Sequence, residues 1–414
     1  MPRVLHILLF VAVALPALAA TPKHIGPERT TIAQLEVALS QAQGKADSEV
    51  AQQLSGLELT ERLNSAKLAR LKAALPGEEA RGALLILADQ SAFLPPPNDE
   101  ILHDPAPEPA ATRRMLEQIV NYVNTTLHHL PNFIASRETT GFEDRPQEDI
   151  QQETSVISLS YQPLHEAGKS SATVTYRDGQ EVVTAATENS RQGDKKKQQA
   201  TRAKKPAPPL HGLATEGEFG PILSTVLADA LKGKISWSRW EKSAGAAQAV
   251  FYYTVPKEKS NYVVKFCCIS GGVADGLRSN VFGERAGYHG EITFDPENGA
   301  IQRITLQAEL PPGELVSKAG MLVEYGPVEI GGKQFICPLK SVSVLLAHTV
   351  QPRPGMHIAT FEGTPKTFLN HVDFVHYRHF GTELRMLPTD MTEVQADPPE
   401  VKPANAEPAG ISPK

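Results

Sequence analysis

The stretch Tyr288-His289-Gly290-Glu291-Ile292-Thr293-Phe294-Asp295-Pro296-Glu297-Asn298-Gly299-Ala300-Ile301-Gln302-Arg303-Ile304-Thr305-Leu306 decides the fold. Polar and apolar residues alternate through 291–294, the period of a strand with one face turned inward, and 301–306 is the return run. Asn298-Gly299 lies between them, and such a pair suits a turn with positive φ at both central positions. The stretch therefore predicts an antiparallel hairpin.

The same grammar extends both ways along the chain. Asp178-Gly179 separates Ala172–Tyr176 from Glu181–Thr184, and Gly331-Gly332 separates Val328–Ile330 from Gln334–Ile336. Further strand-like runs are 235–240, 249–255, 262–268, 321–325, 341–348 and 368–380. About ten antiparallel strands joined mostly by hairpins predict one large, curled sheet.

The front of the chain has a different period. Leu35, Ala38, Leu39 and Ala42 recur at helical spacing, as do Val50, Leu54 and Leu57, then Leu63, Leu71 and Leu75, then Ala80, Ala83, Leu84 and Leu87. Residues 26–94 thus read as a helical module, with Thr60 as a cap for its third helix. A Pro-rich linker over 95–110 follows, then a sheet domain over 111–387 that opens with a helix near Thr112–Leu130. Thr215 and Glu218 suggest a capping box for a helix carrying Phe219, Ile222, Leu223, Val226 and Leu227, suited to covering the sheet. The fold class is α+β: a helical module plus a large curved antiparallel sheet, half-barrel-like, with a covering helix.

Composition bounds the function. The chain has 414 residues, 41 Lys+Arg against 47 Asp+Glu, and a net charge of −6, without the basic footprint of a nucleic-acid binder. Of its 33 prolines, six lie in 95–109 and six more in 388–414, which marks a linker and a tail. Lys195–Lys197, Arg202, Lys204 and Lys205 give a basic loop over 191–209; it and the tail over 388–414 lack apolar residues to bury and are expected to be disordered. Residues 1–19 read as a signal peptide: Arg3, an apolar run from Val4 to Leu15, Pro16, and Ala17-Leu18-Ala19 as the cleavage pattern. No cysteine follows the cleavage site. The expectation is a periplasmic or secreted protein without a transmembrane anchor in its mature chain.

An oxidising compartment gives the three cysteines a meaning. Adjacent residues on a strand point to opposite faces, so Cys337 can meet Cys267 or Cys268 but not both. A disulfide from Cys337 to one of them and three buried thiols are the two readings. The chain contains no G-x-S-x-G, G-x-x-x-x-G-K, G-x-G-x-x-G or H-E-x-x-H spacing, so a non-enzymatic protein without cofactors is expected. His371, Asp373, Tyr377 and His379 would share one face of a strand. His371 and His379 would lie about 26 Å apart, too far to share a metal. A solvated face is the expectation there, with His376 a core histidine. Trp237, Phe251, Tyr253, Tyr262 and Phe266, with Phe219 from the covering helix, either fill a plain core or line an apolar ligand cleft.

Tyr288–Pro296 and Gly299–Ile304, a strand ending in Asp-Pro, a Gly turn and a return strand bearing Arg303, resemble the hairpins of periplasmic lipoprotein-carrier and lipoprotein-sorting proteins. The whole chain resembles an uncharacterised family of exported bacterial proteins with a helical front, Pro linker and sheet. The first resemblance implies a half-barrel closed by helices around an apolar cavity, with a lipid or lipoprotein acyl chain as ligand. The other expectation is an envelope interaction or scaffold protein that docks a partner through residues 30–94.

Overall fold

Two of the three hairpin turns form as their residues require. Arg177 pairs with Gln180 across Asp178-Gly179, with φ of 52° and 80°, and Ile330 pairs with Lys333 across Gly331-Gly332, with φ of 60° and 78°. The Asn298-Gly299 turn is wider than expected, since Phe294 pairs with Ile301. Asp295 organises this loop: its carboxylate accepts from Glu297 N and Asn298 Nδ2, both at 2.8 Å, and its backbone N–H donates to Ala300 O at 3.0 Å. An Asx-type turn thus replaces the two-residue turn.

In the computed structural model the described residues are 27–152, 155–185, 210–213, 215, 217–243, 246–267, 282–311, 313–348, 350–351, 360–361 and 364–380. The expected signal peptide, basic loop and tail lie outside them. Among the described residues there are six α-helices: α1 (Ile32–Gln41), α2 (Asp47–Ser55), α3 (Ser65–Ala73), α4 (Glu78–Gln90), α5 (Pro109–His129) and α6 (Pro221–Lys232). The principal sheet has eleven strands: β1 (Ile101–Leu102), β2 (Phe133–Arg145), β3 (Gln162–Arg177), β4 (Gln180–Ala185), β5 (Lys234–Ser243), β6 (Ala246–Val255), β7 (Gly287–Phe294), β8 (Ile301–Glu309), β9 (Val316–Ile330), β10 (Lys333–Ala347) and β11 (Lys366–His379). Their spatial order is 1-5-6-7-8-9-10-11-2-3-4, antiparallel throughout. The fold is α+β and the sheet is open, not closed into a barrel.

Side-chain alternation explains the layers. On β9, Met321 and Val323 join a core with Met115, Ile119 and Val123 of α5 and Ile222, Leu223, Val226 and Leu227 of α6. Leu322, between them, packs with Val342 against Ala92 and Phe93, just after α4. On β11, Phe368 belongs to the α6 side, whereas Leu369 packs with Phe142 and Leu164 against Leu85 and Ile86 of α4. Successive residues point to opposite faces of a strand, so the central strands are covered on both.

The helical front is therefore a layer laid on the sheet, and it shares one compact unit with it. It has its own core around Leu35, Val50, Leu54, Ala80 and Leu84. Its third helix starts later than expected, since Asn64, not Thr60, caps it by accepting from Lys67 N at 2.8 Å. The 95–110 segment is not a free extended spacer: Asn98–Glu100 form a 3-10 turn, and Pro109 and Ala110 already belong to α5. Pro95 O accepts from Arg62 N at 2.8 Å, Pro105 O accepts from Trp240 Nε1 at 3.1 Å, and β1 forms the sheet edge beside β5. Helix α6 also departs from expectation: no side chain caps it, and Phe219 precedes its first residue.

The register of the sheet requires one glycine. A Cβ on Gly290 would lie 1.9 Å from Thr305 O, which already accepts from the Tyr253 hydroxyl at 2.6 Å. Gly290→Ala is expected to cost about 2–3 kcal/mol through forced displacement of β8, read as a lower urea midpoint. An unchanged midpoint would contradict the close approach.

Candidate ligand cavity beneath the covering helix

The turn before α6 is held by a carboxylate pair and an arginine. Arg137 on β2 sends Nη2 to Thr215 Oγ1 at 2.7 Å and to Glu218 Oε1 at 3.3 Å. This explains why the expected capping box is not made: both of its side chains turn to Arg137. Gly217, at φ 88°, bends the chain so that its N–H and that of Phe219 donate to Glu181 Oε1 and Oε2, at 3.4 and 3.2 Å. Tyr325 donates to Glu218 O at 3.0 Å and closes the node from β9.

Glu181 and Glu218 do not balance their surroundings alike. Glu218 is fully buried, and its Oε2 has no partner. Burial, then the neighbouring Glu218 charge, pushes Glu181 up to about 7, against the two backbone donors and Arg137, which favour its ionised form. Glu181 also stands in the wall of a cavity of about 610 Å³ between β4, α6, β9 and the short strand Val263–Cys267. Val182, Val183, Ile222, Val263, Met321 and the Tyr262 ring give it apolar walls, and Thr225 and Lys265 add polar points. A perturbed carboxyl in a mostly apolar cleft is the arrangement in which protonation and ligand binding couple.

Of the six aromatic residues expected at a ligand cleft, Tyr262 lines this cavity. Phe251, Tyr253 and Phe266 are at most 2% exposed and pack inside the main core. Phe251 stacks on Phe294 with centroids 5.3 Å apart, Tyr253 meets Tyr288 at 5.8 Å, and Phe266 meets Phe368 at 5.7 Å. Trp237, half-buried, lies edge-on to Phe251 at 5.9 Å. Phe219 falls in a separate cluster, between Phe133 and Phe374. These rings are mostly filling.

Cys337 is a free thiol. Its two candidate partners for a bridge cannot be placed beside it, since the Cys267 side chain and all of Cys268 lie outside the described residues. Cys337 packs among Phe133, Tyr176 and Phe374, and burial pushes its thiol up to about 12, so it stays protonated and inert.

The His/Asp run of β11 also departs from expectation. His371 is 6% exposed and bridges two carboxylates: Asp89 Oδ2 of α4 lies 2.8 Å from Nδ1, and Asp373 Oδ1 lies 3.3 Å from Nε2. Lys340 Nζ lies 3.3 Å from Asp89 Oδ1. Each carboxylate takes a different ring nitrogen, so the three groups cannot converge on one ion. Among the described residues no cluster of metal-ligating side chains occurs. A bulge between Val375 and Arg378 holds His376 at φ 56°, so it is exposed and not in the core.

Glu181, Asp89 and Arg137 were not singled out by sequence reasoning. The signal for Asp89 was present: the run from Ala83 to Ala88 is too continuously apolar for a helix with one buried stripe, and Asp89 ends it. Glu181 carried no such mark, because its neighbours are distant in sequence.

Two pH predictions follow from these shifts. The folded state keeps the Glu181 proton to about pH 7, whereas the unfolded chain releases it near 4.5. Stability contributed by this site is thus lost as pH rises between those values. Glu181→Gln should therefore gain about 3 kcal/mol on the wild type between pH 4.5 and 8, read as the difference in urea midpoints; a constant difference contradicts the burial argument. His371 behaves oppositely. Burial alone would lower it, but Asp89 and Asp373 lift it to about 9 from 6.5. Its contribution is complete below pH 6.5 and is lost as pH rises through 9. His371→Ala should cost about 3 kcal/mol at pH 6 and less at pH 10; a pH-independent cost would show that the imidazole is neutral. Comparison of the chain with protein-family models, with curated proteins and with solved structures finds no match in any of the three.

Proposed function

We propose that this chain is an exported, non-enzymatic protein of the bacterial cell envelope that holds one amphiphilic ligand, such as a lipid or lipoprotein acyl chain, beneath α6. The observation that carries the reading is the cavity of about 610 Å³, with apolar walls and one half-buried carboxyl. Its size falls in the range of small-molecule sites, roughly 300–1,000 Å³. The ligand's chain lies along Val182, Ile222, Val263 and Met321, and its polar end meets Glu181 and Thr225. Export rests on the N-terminal sequence pattern, and no helix among the described residues is long and apolar enough to cross a membrane.

A second reading, a scaffold with a filled core and no ligand, is favoured by the packed rings of Phe219, Phe251, Tyr253 and Phe266. Native mass spectrometry of protein purified from the periplasm separates the two. The binder should carry a co-purified lipid mass or take up added fatty acid, and Thr225→Trp, which fills the cavity, should lower that occupancy at least tenfold. A clean apo mass with no uptake by the wild type rejects the binder and leaves the scaffold.

A further inference from the structure

The charges at the inner end of the α6 cavity are uneven. Two carboxylates, Glu181 and Glu218, stand against one guanidinium, and Arg137 is committed to the deeper of them. Its Nη2 lies 3.3 Å from Glu218 Oε1 and donates to Thr215 Oγ1 at 2.7 Å. Among the described residues no cation lies within ion-pair distance of Glu181, whose oxygens accept from the backbone N–H groups of Gly217 and Phe219 at 3.4 and 3.2 Å. Glu218 is enclosed, whereas Glu181 is half-buried and lines the cavity.

The other groups nearby do not supply the missing charge. Tyr176, Tyr325 and Tyr377 approach from β3, β9 and β11, and burial keeps all three phenols un-ionised. Lys265 lines the cavity but is exposed, between Val264 and Phe266 that are buried, so its side chain stands on the solvent face of its strand. It makes no ion pair among the described residues. Asn261 is not a spare donor, because its amide goes to Asp229 Oδ1 at 2.6 Å, and Asp229 is a further buried carboxylate. A half-buried carboxylate without a counter-ion keeps a proton instead, which is why Glu181 is pushed up to about 7. A ligand cation can take the place of that proton, whereas a ligand anion would meet the carboxylate pair.

Resting on the reading of this cavity as a ligand site, we propose that Glu181 selects the head group, and that the ligand is an amphiphile with a cationic head of the protonated-amine class. The ammonium pairs with Glu181 and donates to the Thr225 hydroxyl, while the chain lies along Ile222, Val263 and Met321. Binding then displaces the Glu181 proton, so the affinity for such a ligand rises with pH through the titration of this one group. A carboxylate head has the opposite dependence, since it is tolerated only while Glu181 is protonated.

The test is titration calorimetry of the full chain with three probes of one chain length, decylamine, decanol and decanoate, at pH 8 and pH 6 and below the concentrations at which they aggregate. At pH 8 the wild type should bind decylamine about tenfold more tightly than decanol, and decanoate more weakly than either. Decylamine stays protonated at both pH values, as a lysine does, so the about tenfold fall in its affinity expected at pH 6 reports the Glu181 proton alone. In Glu181→Gln the preference for the amine over decanol should shrink to below about threefold, and its pH dependence should vanish. Equal binding of the three probes by the wild type overturns head-group selection and leaves the ligand site standing. Tighter binding of decanoate gives the head group to Lys265 and overturns it too, as does an amine preference retained by Glu181→Gln. If no probe binds at either pH, the ligand site itself is rejected, and the selection with it.

Discussion

A sheet with apolar side chains on both faces must be covered twice, and the rest of this structure follows from that requirement. Residues 319–323 of β9 and 341–345 of β10 are buried in succession, without the alternation of a half-solvated sheet. Helices α5 and α6 cover one face, and the segment from α1 to α4 covers the other. Neither layer is optional, because removing either one exposes a continuous apolar strip to water.

The two layers are attached by different chemistry. Beneath α5 and α6 the contact is mostly apolar, with aromatic rings stacked across β6 and β7. Beneath the helical front the apolar contacts of Leu85, Ile86, Ala92 and Phe93 are joined by buried ion pairs: Arg62 with Glu241, and Asp89 with His371 and Lys340. Buried pairs of this kind add little net stability, because desolvation opposes their attraction. They do penalise any arrangement that separates the partners, since each would then be a lone buried charge. The helical layer is thus fixed in position by the cost of misplacing it more than by the gain of placing it.

Local structure was largely legible in the sequence. The periods of 3.6 and 2 located the helices and the long strands, and Asp178-Gly179 and Gly331-Gly332 gave their hairpins. What failed was what depends on distant partners. Thr215 and Glu218 look like a capping box until Arg137, 78 and 81 residues away, claims both. His371 looks solvated until Asp89, 282 residues away, is laid against it. The prolines of 95–109 did not announce the 3-10 turn at Asn98–Glu100 or the attachment to the sheet edge, because Ile101 and Leu102 pair with β5, far along the chain. The candidate cavity was half legible: the covering helix and Tyr262 were foreseen, whereas Glu181 became notable only once Glu218 and Arg137 surrounded it.

Strand order carries a consequence for how the molecule comes to exist. β11, the last strand described, sits in the interior of the sheet, between β10 and β2. Until residues 366–379 emerge from the ribosome, β2 and β10 each present an unpaired edge, and the early meander of β2 to β4 is cut off from the later one of β5 to β10. The nascent chain can form two partial sheets but cannot join them. Joining residues more than two hundred positions apart requires a large loop closure before the pairing is gained, which makes the final step slow. Joining of the sheet is therefore delayed until residues 366–379 are present, and exposed edges over that interval are the points at which a holding chaperone would act.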